Sequence, residues 1–301
     1  MLPDRIFLFG NVKTRIVLRN SFIISLLILF VIAGCSPERK LARKFIRHQK
    51  GAGLMIIPVY ELYKDNLSIS YDTAIQYNAL QLDSIAWAQS CFIQHVSDSI
   101  FLTQFTNSMI DELAESGFDI YVDGSSDVFL SLPDPKWMVQ IAQLQLEEDH
   151  QVKYFEVAGD EGNMYYEDIR LNTINLQSWL DVSRANSGNK QTLYLQVIID
   201  DDYQNAFNNS LFDNFLKVFN YDLMLSGFDI SDSRDSLNMS SIYMLARQAG
   251  QKHGELLFDY FMNDYIRENL PAGIINRKYF HYNRQLKKLK QGLKERFDVV
   301  N

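Results

Sequence analysis

The segment INLQSWLDVS, residues 174–183, decides the fold class of this chain. Apolar and polar residues alternate along it, so an extended segment would have one apolar face and one polar face. The apolar set is Ile174, Leu176, Leu180 and Val182, and the polar set is Asn175, Gln177, Asp181 and Ser183. A second run, 193–199, repeats the alternation, and the turn-forming stretches 159–163 and 186–189 separate such strands. The pattern predicts an antiparallel β-meander over about 150–203.

Helical spacing flanks this meander on both sides. Residues 84–116 show apolar residues three and four apart with a break near Ser97, and Gly117 is a typical helix stop. The short apolar runs 54–60 and 118–122 enclose that segment and predict two strands, whose helical crossover favours parallel pairing. Pro58 indicates an edge or a bulge in the first of them.

The second half of the chain adds one clear helix and three weaker predictions. Residues 239–269 are helical in pattern, with a stripe of small residues that would let this helix approach a sheet closely: Ala246, Ala249, Gly250 and Gly254. Residues 136–147 fit either a strand or a helix, and the β-rich region that follows favours a strand. We also predict a strand over 215–225 and a final basic helix over 276–297.

These elements predict an α+β fold, in which a mixed and largely antiparallel sheet packs against helices and a basic helix ends the chain. The predicted organisation has four parts. They are a signal peptide at 1–34, a basic tether at 35–53, one globular domain at 54–272 and a basic amphipathic helix at 273–301.

The N-terminal 36 residues carry an export pattern. Arg15 and Arg19 precede an apolar run over 22–32, which has the length of a signal-peptide core and is short for a membrane span. The run ends in Ile32-Ala33-Gly34-Cys35, which resembles the lipobox of bacterial lipoproteins. That resemblance covers residues 15–36 and implies cleavage before Cys35, a lipidated (palmitate-bearing) Cys35 and a membrane anchor. The alternative is an uncleaved N-terminal membrane anchor with Cys35 as a free thiol.

Charge is distributed unevenly along the chain. Residues 51–276 contain 11 basic and 33 acidic residues, whereas residues 35–50 hold six Lys or Arg and residues 277–296 hold eight. Such an acidic body excludes nucleic acid as its partner. The basic ends are candidate contact surfaces, above all Lys287, Lys288, Lys290 and Lys294. The N-terminal basic stretch could also contact anionic lipid headgroups, or both stretches could simply solvate helices or pair with the acidic body.

No catalytic or cofactor motif is present. The sequence lacks HExxH, paired CxxC, GxxxxGK[ST] and GxGxxG motifs, so we predict no metal, no cofactor and no nucleotide. We interpret 147–150 as a solvated strand end and Cys91 as a buried small apolar residue. A calcium site at 200–202 is a weak alternative, because the spacing of a calcium loop is absent.

Four Asp-Ser/Thr triplets resemble the O-glycosylation sequon of Bacteroidota, although the same triplets serve as helix caps. Their hydroxyl residues are Thr73, Ser84, Ser99 and Ser236. Residues 36–40 lack an acidic run resembling that group's surface-export signal, which favours a lipoprotein that faces the periplasm. Ser36 resembles the residue found after the cysteine in lipoproteins sorted to the outer membrane.

Three functions remain open on the sequence. The first is a non-enzymatic interaction or assembly module of the cell envelope, with the membrane and an envelope protein as partners. The element order is reminiscent of auxiliary lipoproteins of envelope assembly. The second is a lipoprotein that binds a glycan or small solute, for which 16 Tyr and 20 Phe offer stacking surfaces. The third is a hydrolase, which would need two carboxylates or a Ser/His pair converging in a cleft.

Overall fold

The computed structural model describes residues 36–69, 77–133, 135–158, 164–185, 190–201, 237–274, 278–292, 294 and 296–300. For 153–158 and 164–170 only the backbone is described. The predicted strand at 215–225 and the turns at 159–163 and 186–189 lie outside these residues, as does Cys35.

A seven-stranded mixed sheet forms the centre of the fold. Its strands are β1 (Ala52–Ile57), β2 (Tyr63–Asn66), β3 (Phe118–Tyr121), β4 (Lys136–Ala158), β5 (Met164–Arg184), β6 (Lys190–Asp200) and β9 (Asp298–Val300). Their order is β3-β1-β4-β5-β6-β9, and β2 pairs separately with β4. The pairs β4–β5, β5–β6 and β6–β9 are antiparallel. This confirms the predicted α+β class, the meander and the strand assignment of 136–147.

The N-terminal strands pair in parallel, as the crossover predicted. β1 pairs with both β3 and β4, so it lies inside the sheet and not at its edge. Pro58 follows the last residue of β1, and its missing N–H therefore removes no ladder hydrogen bond. Gly117 has a φ of 103°, which is the left-handed stop expected between helix and strand.

Five α-helices accompany the sheet in the part of the chain that the structure describes. They are α1 (Pro37–His48), α2 (Ala79–Gln89), α3 (Asp98–Glu115), α4 (Ser126–Ser131) and α5 (Met239–Asn269), and a 3-10 turn (Ile93–His95) lies before α3. The break expected near Ser97 therefore exists, and Ser97 directly precedes α3. None of the helices among the described residues is long and apolar enough to cross a membrane.

The small residues of α5 allow a close helix contact, and the partner is α3. A Cβ on Gly250 would lie 2.1 Å from the Phe105 carbonyl oxygen, and one on Gly254 would lie 2.7 Å from the Glu112 Cβ. Atoms cannot approach that closely, so both positions require glycine. The sequence predicted close packing correctly but assigned it to the sheet.

Contacts divide the chain into two compact units. The sheet unit comprises 49–260 and 295–301, and its core includes Phe101, Phe105, Met109 and Leu113 of α3, all fully buried. The basic unit comprises the described residues of 1–48 together with 261–294. The segments predicted as a separate tether and a separate C-terminal helix thus contribute to one unit.

The predicted basic helix at 276–297 is wrong. Residues 279–292 form an antiparallel hairpin of β7 (Tyr279–Asn283) and β8 (Lys288–Gly292). The aromatic run Tyr279, Phe280 and Tyr282 favours extended backbone, and the side chain of Asn263 binds both backbone groups of Phe280. Among the described residues the last helix is α5. The predicted tether at 35–53 contains the 12-residue helix α1.

Candidate functional site

Within the described residues, the candidate site is a cleft of about 470 Å³ in the basic unit, between α1 and the β7–β8 hairpin. Two sequence segments more than two hundred positions apart supply its walls. Six cationic residues line it, namely Arg39, Arg43 and Arg47 from α1 and Lys287, Lys288 and Lys290 from the hairpin. The cleft therefore joins the two basic ends of the chain. We refer to it as the basic cleft.

Helix α1 presents its arginines at intervals of four residues. Because a helix turns once in 3.6 residues, Arg39, Arg43 and Arg47 share one face. Ala42 and Phe45 are buried on another face, and Phe45 packs on Tyr265 of α5 with ring centroids 5.6 Å apart. The buried face fixes the rotation of the helix, so the arginines must face outward.

The hairpin is held by hydrogen bonds from a buried amide. Asn263 Nδ2 donates to the Phe280 carbonyl oxygen over 2.9 Å, and the Phe280 N–H donates to Asn263 Oδ1 over 2.8 Å. Asn263 is fully buried. At the turn, Asn283 Oδ1 accepts the Leu286 N–H, and Lys287 has a φ of 49°. The left-handed backbone at Lys287 is unusual for a residue with a side chain, and this lysine is one of the residues that line the cleft.

The cleft has an apolar base. Tyr282 and Leu289 are paired across the hairpin, which places their side chains on the same face, and Ile46 of α1 joins them in the lining. All three are half-buried, whereas the six cations are exposed. The site thus combines a positive rim with a small apolar surface.

The rim is not neutralised within the described part of the chain. No ion pair between described residues involves any of the six cations. The single acidic residue of α1, Glu38, is buried and does not line the cleft. Exposed cations without acidic partners attract anions, and guanidinium groups bind phosphate or carboxylate oxygens in pairs.

Three of the four predicted contact lysines lie in this cleft. Lys294 is exposed and does not line it. The sequence identified the lysines by charge density but missed their partners in α1. The spacing of Arg39, Arg43 and Arg47 was the available signal, because a residue every fourth position marks one helical face.

A Ser/His pair does exist, but it is closed to solvent in the sheet unit. Ser178 Oγ lies 2.6 Å from His253 Nε2, and His253 Nδ1 lies 2.7 Å from the Ala249 carbonyl oxygen. The Ala249 carbonyl accepts a hydrogen from Nδ1, and the Ser178 hydroxyl lies between two acceptors, His253 Nε2 and the Leu195 carbonyl oxygen 2.9 Å away. Burial lowers the pKa of His253 to about 4, against a smaller opposite effect of the Ala249 hydrogen bond. Both side chains are at most 1% exposed, so no substrate reaches them.

The sequence contained a signal for this pair. Ser178 stands between Leu176 and Leu180 on the apolar face of β5, where a hydroxyl must find a buried partner. The rings of Phe105 and Phe297 flank His253, with centroids 5.0 Å and 6.0 Å away. The pair therefore ties α5 to the sheet.

The interpretation of 147–150 as a solvated strand end is wrong. Glu148 is 1% exposed, and its carboxylate accepts hydrogen bonds from the Ser90 hydroxyl and from the N–H groups of Cys91, Phe92 and Ile93. These distances range from 2.7 to 3.1 Å. Glu148 thereby anchors the loop that precedes α3. The turn leaves Cys91 exposed and not buried as predicted.

The remaining acidic candidates are structural as well. Glu147 accepts a hydrogen bond from Asn175, and Asp201 accepts from Asn172 and from the Leu237 N–H. Among the described residues no three His, Cys, Asp or Glu side chains are grouped as metal ligands. Asp202, the last residue of the calcium alternative, lies outside the described residues.

Two of the four glycosylation candidates, Thr73 and Ser236, lie outside the described residues. Ser84 is exposed on α2, and Ser99 is exposed near the start of α3 with its hydroxyl 3.2 Å from that of Ser97. Ser97 makes no capping hydrogen bond to α3. Glycosylation therefore remains a prediction at these sites.

Comparisons with known proteins give only a weak structural likeness. No family model matches the chain, and no curated protein matches it. Among solved structures, a Helicobacter pylori protein described as a homolog of a neuraminyllactose-binding hemagglutinin aligns over 73% of this chain and 93% of its own. The two are 8% identical with a TM-score of 0.30, so the match carries no argument about function.

Proposed function

We propose that the chain is a lipid-anchored lipoprotein of the bacterial cell envelope that acts as a non-enzymatic interaction module. The basic cleft is its main contact site. The observation that carries this proposal is the convergence of six exposed cations, from both basic ends of the chain, on one cleft. Catalysis at the Ser178–His253 pair is disfavoured by its complete burial.

The position of the cleft along the chain supports an envelope role. Helix α1 begins two residues after Cys35, the residue that the lipobox resemblance assigns to lipidation. An acyl chain there would hold α1 within a short distance of a membrane surface. The proposed location is the outer membrane, facing the periplasm, with the acidic sheet unit available to an envelope protein partner.

The lipoprotein assignment is tested on the N-terminal peptide. The full chain, expressed in a diderm bacterium with labelled palmitate, should yield a mature N-terminus at Cys35 carrying diacylglycerol, found in the membrane fraction. A Cys35→Ser variant should remain uncut and unlabelled. Full-length protein without palmitate in the soluble cytosolic fraction would overturn the assignment.

The interaction role is tested with substitutions that neutralise charge and not with a deletion. Removing 276–301 would delete the buried Phe280 and Phe297, so it would disturb folding along with contacts. A triple variant Lys287→Gln, Lys288→Gln, Lys290→Gln keeps the hairpin and removes half of the rim. Cross-linking in intact envelopes should lose the partners seen with the unaltered lipoprotein. An unchanged pattern would contradict the use of the cleft.

A ligand-binding lipoprotein is the second candidate, and the apolar base of the cleft favours it. The lining contains a single aromatic residue, Tyr282, so the cleft offers little surface for stacking on a neutral glycan. A ligand for this cleft should be anionic with a small apolar part.

A further inference from the structure

The composition of the basic cleft restricts what it can bind. Its volume of about 470 Å³ falls in the range of pockets that hold small molecules and exceeds what one inorganic anion fills. Its charge comes from flexible, exposed side chains, and its base is apolar. This combination fits an amphiphile with an anionic head and an apolar neighbour better than it fits a free ion.

The spacing of the cations suits a surface with several anions. Four residues of helix rise about 6 Å, so the three arginines span about 12 Å along α1. Lys287, Lys288 and Lys290 form the facing wall. Guanidinium groups can each bind two phosphate oxygens, while the lysines act as point charges around them.

We propose that the basic cleft binds the phosphate of an anionic phospholipid headgroup, with Ile46, Tyr282 and Leu289 contacting its glycerol and first methylenes. This inference rests on the proposed function, because lipidation of Cys35 would bring α1 to the bilayer. Binding orients the basic unit on the membrane. Anionic lipid attracts each Lys or Arg near the surface by about 1 kcal/mol, so six of them are sufficient to orient the basic unit.

The test is vesicle binding by the mature chain with Cys35→Ser, produced without residues 1–34 so that no acyl chain contributes. Vesicles contain phosphatidylcholine alone or phosphatidylcholine with phosphatidylglycerol, at physiological salt. Binding should require phosphatidylglycerol. Each of Arg43→Gln and Lys290→Gln should weaken it about fivefold, and the cleft pair carrying both changes about tenfold, less than the product because both cations hold one headgroup.

Helix α1 offers a matched control for this pair. Lys40 and Lys44 are exposed on the same helix but do not line the cleft. The pair Lys40→Gln, Lys44→Gln removes the same charge, and should weaken binding by less than about threefold because distant surface charges are screened by salt. Equal losses in the two pairs would overturn the cleft as a site and indicate diffuse attraction.

The apolar base is tested separately. Leu289→Gln keeps every cation, and should weaken vesicle binding while leaving the thermal midpoint nearly unchanged at this half-buried position. Calorimetry with inorganic phosphate and glycerol 1-phosphate gives the soluble comparison. If either binds as tightly as the vesicles, the lipid assignment is overturned in favour of a free phosphate. Binding to an acidic peptide but not to the vesicles overturns it as well.

These outcomes are distinct from those of the proposed function. Palmitate labelling at Cys35 with no cleft-dependent vesicle binding leaves the lipoprotein assignment standing and removes the lipid site. Cleft-dependent vesicle binding without palmitate labelling supports the lipid site and removes the lipoprotein assignment.

Discussion

The basic cleft and the interior of the sheet unit use charged side chains in opposite ways. In the cleft, six cations are exposed and none is paired with an acidic residue among those described. In the sheet unit, Glu148 and His253 are buried and have every needed hydrogen-bond partner within reach. The comparison distinguishes charged side chains that can bind a ligand from charged side chains that stabilise the fold. Charges without partners are available to a ligand, and charges with complete partners hold the scaffold.

The largest expected effect is at Glu148. Glu148→Ala removes the acceptor of four hydrogen bonds and should lower the free energy of unfolding by about 3 to 4 kcal/mol. Glu148→Gln retains one acceptor oxygen and should cost less. Urea denaturation at pH 7 measures both. A loss below about 0.5 kcal/mol for the alanine variant would mean that Glu148 is not an anchor.

The second effect is a pH dependence from His253. Burial lowers its folded pKa to about 4, whereas an unfolded histidine titrates near 6.5, so the unfolded state binds more protons between these values. The stabilisation is complete above about pH 6.5 and is lost as pH falls to about 4, by about 3 kcal/mol. Its neighbours Ser178, Ala249, Phe105 and Phe297 contribute no ionisable side chain.

Urea midpoints across this pH range measure the effect. In His253→Gln the free energy of unfolding should fall by about 3 kcal/mol less over this pH range, even if the variant is less stable at pH 7. Parallel curves for the two proteins would show that His253 does not titrate as its burial requires.

A smaller effect is expected at Lys287, where stability and binding should move in opposite directions. Lys287→Gly relieves the left-handed backbone and should raise the free energy of unfolding by about 0.5 to 1 kcal/mol, after the flexibility of glycine is subtracted. It also removes one cleft cation, so vesicle binding should weaken. Lys287→Ala is the control, since it weakens binding without the gain in stability. A gain in both variants would contradict the backbone explanation.

The smallest effect is on the stability of the cleft variants. Arg43→Gln and Lys290→Gln remove exposed charges that have no ion-pair partner among the described residues, so unfolding should change by less than about 0.5 kcal/mol. Thermal denaturation measures this. A loss comparable to that of Glu148→Ala would place the cleft with the structural interior and break the comparison.

The sequence predicted the elements whose periodicity is local. The alternation of 174–183 and the spacing of 98–115 specify a strand and a helix without help from the rest of the chain. It failed at 279–292, where leucines at helical spacing competed with aromatic residues and with a distant amide. The hydrogen bonds between Asn263 and Phe280 stabilise the extended backbone, and this contact depends on tertiary structure.

The candidate site was predictable only in part for a related reason. Charge density identified Lys287, Lys288 and Lys290, but nothing in either basic end reveals that the two ends meet. The prediction for Glu148 was wrong because the groups that donate hydrogen bonds to its carboxylate are backbone N–H groups of a loop 55 to 57 positions earlier. Such groups leave no mark in the sequence.

A double-mutant cycle between α1 and the hairpin tests the central claim most directly. Vesicle binding is measured for the mature Cys35→Ser chain and for Arg43→Gln, Lys290→Gln and the double variant. If both residues hold one anionic headgroup, the two losses should be non-additive by more than about 0.5 kcal/mol. Additive losses within that margin would show that the two basic ends act independently and would contradict a single cleft site.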